Sequence, residues 1–262
     1  MRFLHNDRAP RLGPAADLDG SMPLPLQGDL LEASGDEGWA LHPGASNVPI
    51  AHLSTTPTAD AGPLERADEL MRMGRRLDAL HVLQTTLAND PDDQLCRLRL
   101  AACLEANGDR REAIEELDRV VAREPDHGEA RIARATLHIA ESRPEMAEED
   151  LRVVLARQPD HPEARLRMGV AALRRGRGPE AVSHLRRAVE LLPDRGEVHF
   201  HLGEALVRAE QHAEALQAFH QASVLSPLEA RIWQQMGRLL DRLGRTEDAM
   251  AMYRKAREVS LP

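Results

Sequence analysis

The stretch Pro125–Ala133, PDHGEARIA, returns as PDHPEARLR at Pro159–Arg167, 34 residues later. A phrase that recurs at a fixed interval marks a structural unit stacked against copies of itself. The interval holds along most of the chain. Prolines stand at 91, 125, 159, 193 and 227, and alanines at 79, 113, 147, 181, 215 and 249. Between them a small residue recurs as Ala67, Ala101, Ala135, Gly169, Gly203 and Gly237. A large apolar residue keeps the same step as Leu83, Leu117, Leu151, Leu185, Phe219 and Tyr253. Four registers in phase predict a helix, a short turn and a second helix in each of the blocks 60–93, 94–127, 128–161, 162–195, 196–229 and 230–262.

The turns are legible as MGRRL (73–77), ANGDR (106–110), RRGRG (174–178) and RLGRT (242–246), each with a glycine able to end the first helix. The small residues allow the two helices of a pair to approach closely, and the large one is expected to fill the space between successive pairs. Each proline closes a second helix. The aspartate after it is expected to cap the next one, because Asp126 with Glu129, Asp160 with Glu163 and Asp194 with Glu197 have capping-box spacing.

This pattern resembles the tetratricopeptide repeat family over about residues 60–262. Block 230–262 carries Trp233, Gly237, Leu240, Ala249, Tyr253 and Ala256 at the signature places, and block 196–229 carries Leu202, Gly203, Ala215, Phe219, Ala222 and Pro227. Block 60–93 departs most: Pro63 and Arg66 stand where apolar packing residues are usual, which puts its first helix in question. Arg134 departs likewise, at a place where leucine is common. The resemblance implies an all-α, right-handed superhelical solenoid of stacked antiparallel helix pairs. It further implies that the concave groove, lined by the first helix of every pair, holds a peptide or helix of a partner protein.

Composition agrees with a helical chain: of 262 residues only three are Phe, two Trp and one Tyr. The net charge of −9 argues against a general nucleic-acid binder, which needs a basic face to displace counterions from phosphate. Residues 1–59 are rich in proline and glycine, acidic, and without a sustained apolar period, so they read as a disordered tail. Within it QGDLLEA, around Leu30 and Leu31, has the makings of a short acidic helix formed on contact with a partner. Neither a signal peptide nor a membrane span is expected, since no apolar run is long enough. Cys96 and Cys103, seven apart on one helix, are too distant for a disulfide and read as buried free thiols of a cytoplasmic protein.

Chemistry is harder to find. There is no phosphate-binding loop, no Gly-x-Ser-x-Gly elbow and no His-Glu-x-x-His in the sequence. His199 and His201 diverge around a helix and cannot share an ion, and His201 with Glu204 supplies two ligands where structural zinc needs four. No cofactor, metal or catalytic residue is expected. The chain reads as a non-enzymatic scaffold or chaperone-like adaptor; the alternative is a regulatory subunit of a catalytic partner.

Helical spacing places Leu98, Ile132, Ile139, Leu166, Val170, Leu173, Phe200 and Val207 on the inward face, an apolar track for an amphipathic helix or extended segment. Arg174, Arg208 and Arg242 stand 34 apart near the ends of three consecutive first helices, with Arg238 one turn before the last. They form an expected arginine ladder along one edge of the groove, selecting ligands with acidic as well as apolar residues. Simple attraction to the helix dipole is the competing reading. The acidic tail could fold back on this ladder. At the other end Met250, Met252, Tyr253, Val259 and Leu261 are expected to leave apolar surface uncapped, where a second copy or another protein would dock.

Overall fold

The computed structural model describes residues 62–260. Expectations about the tail at 1–59, and about Leu261, lie outside them. Among the described residues twelve α-helices follow one another without a strand. They are α1 (Pro63–Arg72), α2 (Arg76–Asn89), α3 (Gln94–Asn107), α4 (Arg110–Arg123), α5 (Gly128–Ala140) and α6 (Pro144–Arg157). Then come α7 (Pro162–Arg174), α8 (Gly178–Leu191), α9 (Gly196–Arg208), α10 (His212–Leu225), α11 (Ala230–Arg242) and α12 (Thr246–Glu258). Each block supplies one helical hairpin, and hairpins stack in sequence into a solenoid. Odd helices also pack on one another, α1 on α3, α5 on α7 and α7 on α9, so they make an inner layer with the even helices outside.

The punctuation is as periodic as the letters. Gly74, Gly108, Gly176 and Gly244 follow the first helices with φ of 75°, 98°, 73° and 73°. In the other two hairpins Ser142 and Glu210 adopt the same left-handed backbone at φ 58° and 61°. The second helices α2, α4, α6, α8 and α10 each end two residues before the periodic proline, as expected of a residue that lacks an N–H and restricts its predecessor. The doubtful first helix forms: Pro63 sits at its first position, where a missing N–H costs nothing, and Arg66 is exposed while Ala67 and Leu70 are buried.

The capping boxes are corrected. The N-cap of α5 is His127, whose Nδ1 accepts from the Ala130 N–H at 3.3 Å, and that of α7 is His161, accepting from Ala164 at 3.3 Å. Asp126 and Asp160 lie one residue too early; they pair instead with Arg157 and Arg187 of the following hairpins. Asp194 is displaced from its cap by Arg195, which makes no side-chain cap bond. Among the described helices only α3 is capped by an aspartate side chain, Asp93, accepting from Cys96 N–H at 2.9 Å, whereas Asp109 at the N-cap of α4 makes no such bond.

The recurring phrase carries one more bond. Its arginine donates back to the carbonyl of its own proline: Arg131 Nε to Pro125 at 2.6 Å, Arg165 Nε to Pro159 at 2.7 Å and Arg97 Nη2 to Pro91 at 2.6 Å. His199 Nε2 reaches Pro193 at 2.7 Å and Trp233 Nε1 reaches Pro227 at 2.9 Å from the same register. The phrase is therefore the junction between hairpins, with its histidine starting a helix and its arginine tying the helix to the turn before it.

The packing of small against large is also corrected. A Cβ on Gly169 would lie 2.5 Å from Leu185, one on Gly203 2.6 Å from Phe219, and one on Gly237 2.6 Å from Tyr253. In each case the large residue is pressed against the small residue of its own hairpin, not only between hairpins. The buried apolar side chains form two clusters that divide along α5: Ala130 and Leu137 belong to the one built on α1–α4, and Ile132, Ala135 and Ile139 to the one running on to Leu239. His138, Glu148 and Asp150, all buried, belong to this same hairpin.

Candidate protein-interaction surface

The inner layer is the surface a solenoid offers along its whole length. Its residues do not form the apolar track that helical spacing predicts. Leu166 is fully buried, and Ile132, Ile139, Val170, Leu173 and Phe200 are at most 9% exposed. The inner helices α5, α7 and α9 are each covered by their own partner, by the outer helix of the preceding hairpin and by an adjoining inner helix, so these side chains belong to the core. Leu98 and Val207 remain half-buried, and Leu95 and Ala102 are exposed.

Towards the C-terminal half the inner layer is charged, and much of that charge is already paired. Arg167 of α7 reaches Glu163 at 2.7 Å and Glu197 of α9 at 3.1 Å. Arg195 reaches the same two carboxylates at 2.6 and 2.7 Å. His201 Nδ1 lies 2.9 Å from Glu204. Burial alone would raise the Glu197 carboxyl, but Arg167 and Arg195 together hold it below its ordinary value. The guanidinium of Arg231 on α11 lies 4.7 Å above the Phe200 ring, a cation–π contact across two inner helices. The signal for this network was in the sequence, one residue away from the apolar positions, but nothing in a single helix fixes which cation meets which carboxylate.

Arg174, Arg208 and Arg242 are different. They are the last residues of α7, α9 and α11, all exposed, and none makes an ion pair or side-chain hydrogen bond among the described residues. Arg238 is exposed and equally free among them. Their neighbours are engaged: Arg175 lies 2.9 Å from Glu148, and Arg177 pairs with Glu148 and, at 2.8 Å, with Glu180. None of the three ladder arginines donates to a carbonyl of its own helix.

On the outer layer a cavity of about 660 Å³ opens between α2 and α4, floored by Leu100 and Leu104 and walled by Arg97, Arg111 and Glu115. One hairpin on, Arg134 takes the register of Leu100 and spans the outer layer, reaching Asp118 at 2.6 Å and Asp150 at 2.6 and 2.8 Å. At the last hairpin Met250 is exposed, with Met252, Tyr253 and Val259 half-buried. Tyr253 donates to Asp241 at 2.7 Å.

Sequence profiles of the tetratricopeptide repeat match residues 70–137 and 172–233, residues 132–196, and residues 230–260. The chain belongs to the tetratricopeptide repeat family. Solved repeat proteins share the fold at low identity. MamA is 21% identical over 62% of this chain and 94% of its own, with a TM-score of 0.54. PilW, a type IV pilus biogenesis factor, is 21% identical over 72% and 88%, with a TM-score of 0.68. YrrB, a repeat protein with an unusual peptide-binding site, is 18% identical over 68% and 91%, with a TM-score of 0.53. No curated protein matches the sequence. In this family the repeats make a protein-interaction scaffold, and among the described residues no helix is long and apolar enough to cross a membrane.

Proposed function

We propose that the chain is a non-enzymatic scaffold or chaperone-like adaptor that holds a segment of a partner protein along the inner layer of its repeats. The observation that carries this reading is the division of that layer. Its N-terminal part exposes Leu95, Ala102 and part of Leu98, whereas its C-terminal part exposes Arg174, Arg208, Arg238 and Arg242 without partners among the described residues. A ligand with an apolar stretch followed by an acidic one satisfies both parts. The two buried free cysteines favour a reducing, cytoplasmic setting.

The test is capture of partners by the intact chain, compared with Leu98→Asp and Ala102→Asp on the inner layer and Leu77→Asp, 72% exposed, on an outer helix. A partner lost with the inner changes and kept with the outer one supports the reading. A partner that ignores Leu98 and Ala102 moves the site to the outer layer. The regulatory-subunit alternative is distinguished by a captured enzyme whose rate changes on adding the purified chain.

A further inference from the structure

Six first helices share one register at their C-terminal ends, occupied by Arg72, Ala106, Ala140, Arg174, Arg208 and Arg242. If these arginines served only to complement helix dipoles, Arg72 and the other three would be equivalent, since each lies in the last turn of its helix. They are not equivalent in their surroundings. Arg72 is separated from the rest by two alanine-bearing repeats, whereas Arg174, Arg208 and Arg242 occupy consecutive ones. The inner helices α7 and α9 pack directly together. Packed helices lie about 8–10 Å apart, which sets the step from Arg174 to Arg208; the 34-residue period carries a like step on to Arg242, whose helix α11 packs on α10.

We infer that Arg174, Arg208 and Arg242 form a linear binding edge for an extended acidic segment whose carboxylates recur every third residue. This rests on the partner-binding reading above and names the chemistry of one part of the ligand. The spacing selects the ligand: a polyproline-II segment repeats every three residues with a rise of about 3.1 Å each, so its same-face carboxylates stand about 9 Å apart. One carboxylate then meets one guanidinium per repeat. Charge complementarity is specific to this edge, because Arg175 and Arg177 beside it are already held by Glu148 and Glu180.

The probe is a fluorescent peptide of Asp-Pro-Ala repeated four times, titrated with the full chain by anisotropy. The comparison peptide has the same composition with its four aspartates contiguous. The in-register peptide is expected to bind more tightly, with affinity falling as salt is raised. Arg174→Ala, Arg208→Ala and Arg242→Ala should each weaken it about two- to fivefold, and the triple change about tenfold or more, the range of exposed charge pairs. Arg72→Ala should leave binding unchanged, which also controls for folding because Arg72 has the same helix-end setting. Equal binding of both peptides overturns the three-residue register and leaves a general basic surface. Tighter binding of a helical peptide with the same charge overturns the extended ligand. Loss of binding in Arg72→Ala, or none by the wild type, overturns the ladder. The Leu98 and Ala102 experiment decides the broader partner-binding reading independently.

Discussion

The ring of Phe219 on α10 occupies the space that a side chain on Gly203 of α9 would need, with its nearest atoms 2.6 Å from an ideal Cβ. The hairpin α9–α10 is thus closed by a glycine–phenylalanine pair where the first three hairpins use alanine with leucine and α7–α8 uses glycine with leucine. Gly203→Ala should overpack it and destabilise the chain by about 1–3 kcal/mol. Adding Phe219→Leu, which recreates the Ala101–Leu117 pairing, should recover part of that loss. Urea unfolding of the two single variants and the double variant measures the coupling; strictly additive effects would mean that the two residues are not in contact.

Asp150 on α6 accepts from Arg131 at 2.6 Å and from Arg134 at 2.6 and 2.8 Å, with only 3% of its side chain exposed. Removing the shared carboxylate strands two largely covered guanidiniums. Asp150→Ala is expected to cost about 3–5 kcal/mol. Replacing the set with apolar residues, including Arg134→Leu on the pattern of Leu100, should cost much less. Thermal unfolding of both forms decides it, and a small loss in Asp150→Ala would show that water satisfies the arginines.

His138 is 2% exposed and its Nδ1 has no partner among the described residues. Burial lowers its proton affinity below the ordinary 6.5, with Asp150 and Asp118 opposing and Arg134 and Arg143 assisting. A base that binds protons less readily when folded takes up more on unfolding, so its contribution to stability is present above pH 6.5 and is lost as pH falls below that value. His184, lowered by burial and by Arg165, acts in the same sense. His138→Leu, which places the residue found as Leu104, Leu206 and Leu240 in other repeats, should flatten the decline of Tm between pH 7 and pH 5. It should also raise Tm at neutral pH by roughly 2–4 °C if relief of the unpaired nitrogen is worth about 1 kcal/mol.

Cys96 and Cys103 are buried, and burial pushes both thiols up to about 11. Neither should react with an aromatic disulfide reagent at pH 7.5 in the folded chain, and both should react once denaturant is added. Fast reaction of one thiol without denaturant would show that the first repeats open locally.

The architecture was legible because every hairpin uses the same positions for the same work: a small residue facing a large one, a left-handed residue ending the first helix, a proline after the second. Details within one residue of each other were not. Aspartate and histidine stand side by side in the junction phrase and both can cap a helix. Only the backbone reveals that α5 and α7 begin after His127 and His161. The accessible track departs from the expected one for a different reason. A helical wheel assigns one face to the core, whereas an inner helix of a stack is covered on three sides, which leaves Leu166 and Phe200 inside. The register of arginines at the helix ends is legible in the sequence, and their lack of partners among the described residues is visible only once the carboxylates of those residues have been placed.

The bonds to the five junction carbonyls bear on how such chains diverge. Guanidinium, imidazole and indole groups each donate an N–H to the proline carbonyl six residues earlier. What is maintained at this register is a donor of sufficient reach, not a residue type. Drift among arginine, histidine and tryptophan is therefore silent for the backbone, and descendants of this chain can lose all recognisable spelling there while keeping the angle between successive hairpins.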